Sequence, residues 1–162
     1  MHRILFVCHG NICRSTMAQF VFEELVRRAG REDDFDIDSA ATSREEIGNP
    51  PHRGTVAKLR EVGIPVGTHR ARQITRDEFS RWDRIVYMDG ENERGLRRIL
   101  GADAASSCTR LLSYTGRNAD VADPWYTGDF DATYDDVVAG CSALFEQITG
   151  TDAPALPASR VR

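Results

Sequence analysis

The sequence predicts an α/β fold: a single domain whose central parallel sheet carries helices on both faces. Three observations predict it. The chain has 162 residues, 41 % of them hydrophobic, which suits one core and one domain. Short apolar runs fit for buried strands alternate with longer segments of helical periodicity. The first strand runs straight into a polar loop that opens an amphipathic helix, in the strand–loop–helix order of a parallel sheet.

Residues 3–7, "RILFV", form a continuous apolar run, as expected of a strand buried on both faces. In "STMAQFVFEELVRRAG", Met17, Val21 and Leu25 recur every four residues. Basic residues gather near the end and Gly30 stops the helix. "FDIDSA" (35–40) reads as the second strand and "ATSREEIGNPP" as turn-rich chain. "HRGTVAKLREVG" (52–63) is a helix ended by Gly63, and "RDEFSRW" a short helical turn. "RIVYM" (84–88) is a third strand, "ENERGLRRILG" a helix and "TRLLSY" (109–114) a fourth strand. Residues 115–130 read as loop. The last helix, "DATYDDVVAGCSALFEQIT", has Val137, Cys141, Leu144 and Ile148 on one face. Residues 1–149 make up the domain, and 150–162 read as a disordered tail.

Net charge is −4, which argues against a general nucleic-acid binder. No apolar run reaches the length of a membrane span, and "MHRILFVC" lacks the pattern of a signal peptide, so a cytoplasmic location is expected. Four cysteines, Cys8, Cys13, Cys108 and Cys141, do not suggest a disulfide framework in such a chain. Histidines at positions 2, 9, 52 and 69 supply no second ligand pair for zinc beside C-x4-C. With 20 arginines against one lysine, an arginine is informative only by its placement.

The loop "CHGNICRS" is placed to hold an anion. Helix N-termini carry unpaired N–H groups and a partial positive charge, and successive amides around a point make a nest for phosphate. Cys8, His9, Gly10, Asn11, Ile12, Cys13 and Arg14 line that nest. Gly10 and Asn11 tolerate left-handed angles, and Arg14 adds a two-pronged donor. Cys8 at its base is placed as a thiolate nucleophile for in-line attack on phosphorus, with Ser15 able to donate to the sulfur. A buried structural cysteine in a tight turn is the other reading of the same residues. Such attack needs a general acid elsewhere, and "ADPWYTGD" (122–129) offers Asp123, with Trp125 and Tyr126 to wall a cleft. An ordinary Asp-Pro turn would look the same.

Taken together, "FVCHGNICRS", "DSAATS", "IGNPP", "ARQIT", "YMD" and "DPWYTGDFD" occur in an order that resembles the low-molecular-weight protein tyrosine phosphatases over residues 3 to 148. The resemblance implies a four-stranded parallel sheet and hydrolysis of phosphotyrosine proteins or aryl phosphates without a cofactor, inhibited by phosphate-like anions. It implies Cys8 as nucleophile, Arg14 as phosphate clamp and Asp123 as acid, then base. Asn11, Ser15, Ser39 and His69 would support the loop, and Cys13 would be a redox partner of Cys8. Three positions depart from the family pattern. His9 replaces the usual Leu or Thr and is expected to tune charge at the rim. Thr16 replaces Pro or another small residue. Glu45 replaces an aromatic cleft wall, so acidic peptides are expected to bind less well. Two rival activities share the scaffold. Arsenate reductase needs resolving cysteines, and protein-arginine phosphatases tend to carry Thr where this chain has Ile12.

Overall fold

The computed structural model describes residues 1–159. Its sheet has four parallel strands in the order β2-β1-β3-β4: β1 His2–Cys8, β2 Phe35–Ala41, β3 Arg84–Tyr87 and β4 Thr109–Arg110. β1 pairs with β2 from His2 opposite Phe35 to Cys8 opposite Ala41. On its other edge, Ile4–Val7 pairs with Arg84–Tyr87. Both edges and both faces of β1 are thus covered, which is why it reads as an unbroken apolar run.

Alternate side chains of β1 enter opposite layers. Ile4, Phe6 and Cys8 join the core formed with α1 (Arg14–Arg28) and α6 (Phe130–Thr149). Leu5 and Val7 pack with Leu96 and Leu100 of α3 (Gly90–Leu100). From β1 the chain goes to β2 on one side and then crosses to β3 on the other. The reversal falls at the carboxyl end of β1, where open α/β sheets bind ligands.

Three expectations are corrected. β4 covers only Thr109–Arg110, and Leu111–Thr115 turns into a 3-10 helix whose Leu111 and Leu112 are fully buried. An apolar pair at a strand end serves a buried turn equally well. Within 115–130 lies a short helix, α5 (Pro124–Thr127), with Asp123 as its N-cap and proline at its start. α4 (Ala102–Ser106) is too short to show periodicity.

The third correction concerns the tail. Residues 150–159 lie against the body instead of fraying. Arg28 Nη1 donates to Ala155 O (2.8 Å), Tyr134 Oη to Pro157 O (2.8 Å) and Lys58 Nζ to Ser159 O (2.6 Å). Lys58, the chain's one lysine, sits buried on α2 (Arg53–Glu61). It also pairs with Glu61 (2.8 Å) and Asp131. The strap therefore ties α1, α2 and α6. The expectation for 160–162 lies outside the described residues. Among the described residues, no helix is long and apolar enough to cross a membrane.

Candidate active site

β1 delivers Cys8, almost fully buried, to its carboxyl end. The chain then turns through 9–13 and enters α1 at Arg14. The turn needs one left-handed residue, and Asn11 supplies it at φ +58°. Gly10 does not share that conformation, contrary to expectation. Its value is space: a Cβ there would stand 3.3 Å from Glu46 Cγ. Cys13, the N-cap of α1, makes no side-chain cap bond, and the first turn holds no acidic residue. The positive end of the helix is left for an anion. Thr16 returns its hydroxyl to the loop, donating to Ile12 O (2.9 Å) and Cys13 O (3.1 Å), which accounts for a polar residue at this buried position.

Arg14 is 2 % exposed. Its Nη1 donates to Asp89 Oδ2 (2.7 Å) and Val121 O (2.8 Å), and its Nη2 lies 3.4 Å from Asp123 Oδ2. Burial opposes its charge. Cys8, Asp89 and Asp123 outweigh that and hold its pKa above the ordinary arginine value. Asp123 also accepts from Trp125 N through Oδ1 (3.1 Å), which fixes its carboxylate at the start of α5. Asp89 is the residue that sequence reasoning missed. It caps α3 through Asn92 N (2.8 Å) while holding Arg14, and the only signal was the "YMD" at the end of β3.

Behind the loop, the predicted supporting residues converge. Asn11 Nδ2 donates to Ser15 Oγ (2.7 Å) and Ser39 Oγ (2.9 Å), and Asn11 Oδ1 accepts from Arg72 N (3.3 Å). His69 Nε2 lies 2.8 Å from Asn11 Oδ1, so that nitrogen carries the hydrogen. Burial pushes the His69 pKa below its ordinary value, with Asp38 opposing the shift and Arg72 adding to it. Gln19 is a further missed member; its Oε1 accepts from Ser39 Oγ (2.6 Å). Because Asn11 donates to Ser15 Oγ, the serine hydrogen is free for the sulfur. Cys8 Sγ lies 3.1 Å from Ser15 Oγ and 3.4 Å from Ser15 N.

Burial, then the neighbouring Cys8 and Asp123, push the Cys13 pKa up to about 12, so it stays a thiol at neutral pH. Cys108 and Cys141 are buried in different layers of the core, and burial raises both of their pKa values.

Above the loop is an open cleft enclosing about 510 Å³. Ile12 lies in its lining, Trp125 and Tyr126 form an aromatic wall, and Glu45 and Glu46 also reach it. Trp125 is 58 % and Tyr126 83 % exposed. The Trp125 ring stands edge-on to His52, with centroids 5.7 Å apart. At the rim, His9 Nε2 is 3.0 Å from Glu45 Oε2, and His9 Nδ1 is 3.7 Å from Glu91 Oε1. The expected rim charge at His9 is thus a link between the turn after β2 and the first turn of α3.

A loop of this shape opposite an Asp-Pro helix start has known relatives. The sequence model of the low molecular weight phosphotyrosine protein phosphatases matches residues 3–153. The chain belongs to this family. Among its phosphatase relatives, the low molecular weight protein-tyrosine-phosphatase YfkJ of Bacillus subtilis is 41 % identical over 150 residues, covering 91 % of this chain and 96 % of YfkJ. The human low molecular weight phosphotyrosine protein phosphatase is 38 % identical over 151 residues, covering 89 % and 94 %. The crystal structure of YfkJ superposes with a TM-score of 0.88 over 93 % of this chain and 96 % of that one. That of the low molecular weight protein tyrosine phosphatase from Streptococcus pyogenes, 37 % identical, gives 0.83 over 92 % and 94 %. The family match spans residues 3–153, a range that contains both the loop after β1 and the start of α5.

Proposed function

We propose that this protein hydrolyses phosphotyrosine and aryl phosphates through a phosphocysteine intermediate. The observation that carries the reading is the meeting of three groups from distant parts of the chain. Cys8 Sγ sits at the base of an uncapped helix N-terminus, Arg14 is buried beside it, and Asp123 reaches the same guanidinium from α5.

In the first step the Cys8 thiolate attacks phosphorus. The S–P bond forms as the P–O bond to the phenol breaks, and Asp123 gives its proton to the leaving oxygen. The loop amides and Arg14 hold the three equatorial oxygens, whose charge they stabilise in the transition state. Ile12 and Trp125 flank the ring. In the second step water attacks the phosphocysteine, Asp123 takes its proton, and the P–S bond breaks. Inorganic phosphate leaves and the thiolate is restored. Phosphate and similar oxyanions compete for the same nest. The separation of Cys108 from Cys141 on opposite sides of the sheet favours this reading over arsenate reductase, which would need a close pair of resolving cysteines after the middle of the chain.

The test is a rapid quench of para-nitrophenyl phosphate turnover. A burst of para-nitrophenol accompanied by a phosphate adduct on the Cys8 peptide is the expected result. Turnover with no adduct there would remove the nucleophile assignment.

The rim adds a second expectation. Glu45 and Glu46 line the cleft and Glu91 lies beyond, with His9 between Glu45 and Glu91. A phosphotyrosine peptide flanked by arginines should have a kcat/KM roughly three- to ten-fold above its glutamate-flanked counterpart at low salt, the size of a few exposed charge contacts. Equal values for the pair would remove Glu45 from substrate choice.

A further inference from the structure

We infer that Arg72 and Glu78 are positioning residues that hold the Asn11 side chain in the orientation that leaves the Ser15 hydrogen for Cys8, an inference that rests on the proposed phosphatase reaction. Neither touches the cleft. Both act on Asn11, the loop's one left-handed non-glycine residue, whose side chain is fully buried.

Asn11 works only one way round. Its Nδ2 must face Ser15 and Ser39, since a flipped amide would offer an oxygen to Ser15 and claim the hydrogen that Cys8 needs. The orientation is enforced from the other end, where Arg72 N and His69 Nε2 both approach Oδ1. These two donors lie in 69–72, a stretch with no regular secondary structure of its own. Backbone bonds hold it in part: Ala41 N donates to Arg72 O (2.7 Å) and Ala71 N to Asn49 O (2.9 Å).

The Arg72 side chain completes the hold. Nη1 and Nη2 fork onto the two Glu78 oxygens at 2.9 Å each, and Nη2 also reaches Asp38 Oδ2 at 3.0 Å. A fork fixes direction as well as distance, which a single ammonium does not. Glu78 is a firm anchor. It is 13 % exposed at the side chain and also accepts from Thr75 N (2.8 Å), Thr75 Oγ1 (3.1 Å) and Trp82 Nε1 (3.1 Å). Asp38 passes the constraint on. Its Oδ1 accepts from Ser39 N (2.8 Å) and faces His69 Nδ1 at 3.6 Å. Arg72 therefore reaches Asn11 twice: directly through its own N–H, and indirectly through Asp38, which holds the backbone N–H of Ser39.

Asn11 governs the hydrogen bond to sulfur, whereas phosphate is held by loop amides and Arg14. Loosening the anchor should therefore lower kcat more than phosphate affinity. In the full-length protein with para-nitrophenyl phosphate, Glu78→Gln and Arg72→Lys are each expected to lower kcat about tenfold, as when one charge-assisted hydrogen bond is misaligned. The inhibition constant of inorganic phosphate should stay within about twofold of wild type. Phe145→Leu is the control for mere destabilisation. Phe145 is buried against Phe22 and Phe35, at the amino end of β2 and away from the loop, so its loss should lower Tm and spare kcat.

Wild-type kcat in both Glu78→Gln and Arg72→Lys overturns the inference. So does a kcat loss in Phe145→Leu as large as that in Glu78→Gln. Absence of turnover in the wild-type protein would instead overturn the phosphatase reading, and the inference with it.

Discussion

Cys8→Ser will abolish turnover of para-nitrophenyl phosphate while leaving phosphate binding intact. The substitution is nearly isosteric and buried, and Ser15 Oγ and Ser15 N remain beside the new hydroxyl. What is lost is the nucleophile. A serine hydroxyl has no base within this loop to take its proton, because Arg14, Ser15 and the amides are all donors to an anion. The expected loss is at least about 10⁴-fold in kcat, the scale seen when a covalent nucleophile is removed. The substitution leaves the loop amides and Arg14 in place. Inorganic phosphate should therefore still raise Tm, with a stabilisation of about 2.7 kcal/mol at a hundred times its dissociation constant. Retained turnover would end the nucleophile assignment. Lost turnover together with lost phosphate stabilisation would mean that Cys8 shapes the nest rather than reacting in it.

What could be read from the sequence follows the range of the interactions. The first strand, the loop and α1 are contiguous, so their chemistry is visible in one short string. The same holds for Asp123, Trp125 and Tyr126, which share a helix start. Asp89 and Val121 escaped because they meet Arg14 from 75 and 107 residues away. Val121 contributes a backbone carbonyl, which no residue type announces. Arg72 was hidden among 20 arginines, and Glu78 looked like an ordinary charge on a helical turn. The strap at 150–159 escaped for a related reason. Its bonds use the carbonyls of Ala155, Pro157 and Ser159, so the sequence there shows only small residues and prolines without periodicity. Leu111 and Leu112 misled in the opposite direction. Their burial was legible, but burial alone does not distinguish a strand from a tight turn.

The ion pairs of Arg14 lead to the second large effect. In the free site Arg14 is shared by Asp89 and Asp123. The two contacts differ: Asp89 lies at 2.7 Å, while Asp123 lies at 3.4 Å and is 24 % exposed at the side chain. In the proposed reaction a bound phosphate would take over the looser contact and leave Asp89 in place, so that Asp123 would be released to serve the leaving oxygen.

Asp123→Ala should therefore lower kcat by about 10²- to 10⁴-fold for phenyl phosphate or phosphotyrosine, the usual worth of a positioned general acid. The loss should be smaller for para-nitrophenyl phosphate, whose phenolate leaves well without a proton. With that substrate the second step becomes the slow one, because nothing takes the proton from the attacking water. The phosphocysteine should then accumulate and be trapped at higher occupancy than in wild type. Stability should change little: Asp123 contributes one cap bond to the four-residue α5 and one long contact to an arginine that keeps Asp89 and Val121. The comparison of leaving groups carries the argument. An equal loss on both substrates would show that Asp123 serves to hold Arg14 and α5 in place, and the proton would have to come from another group.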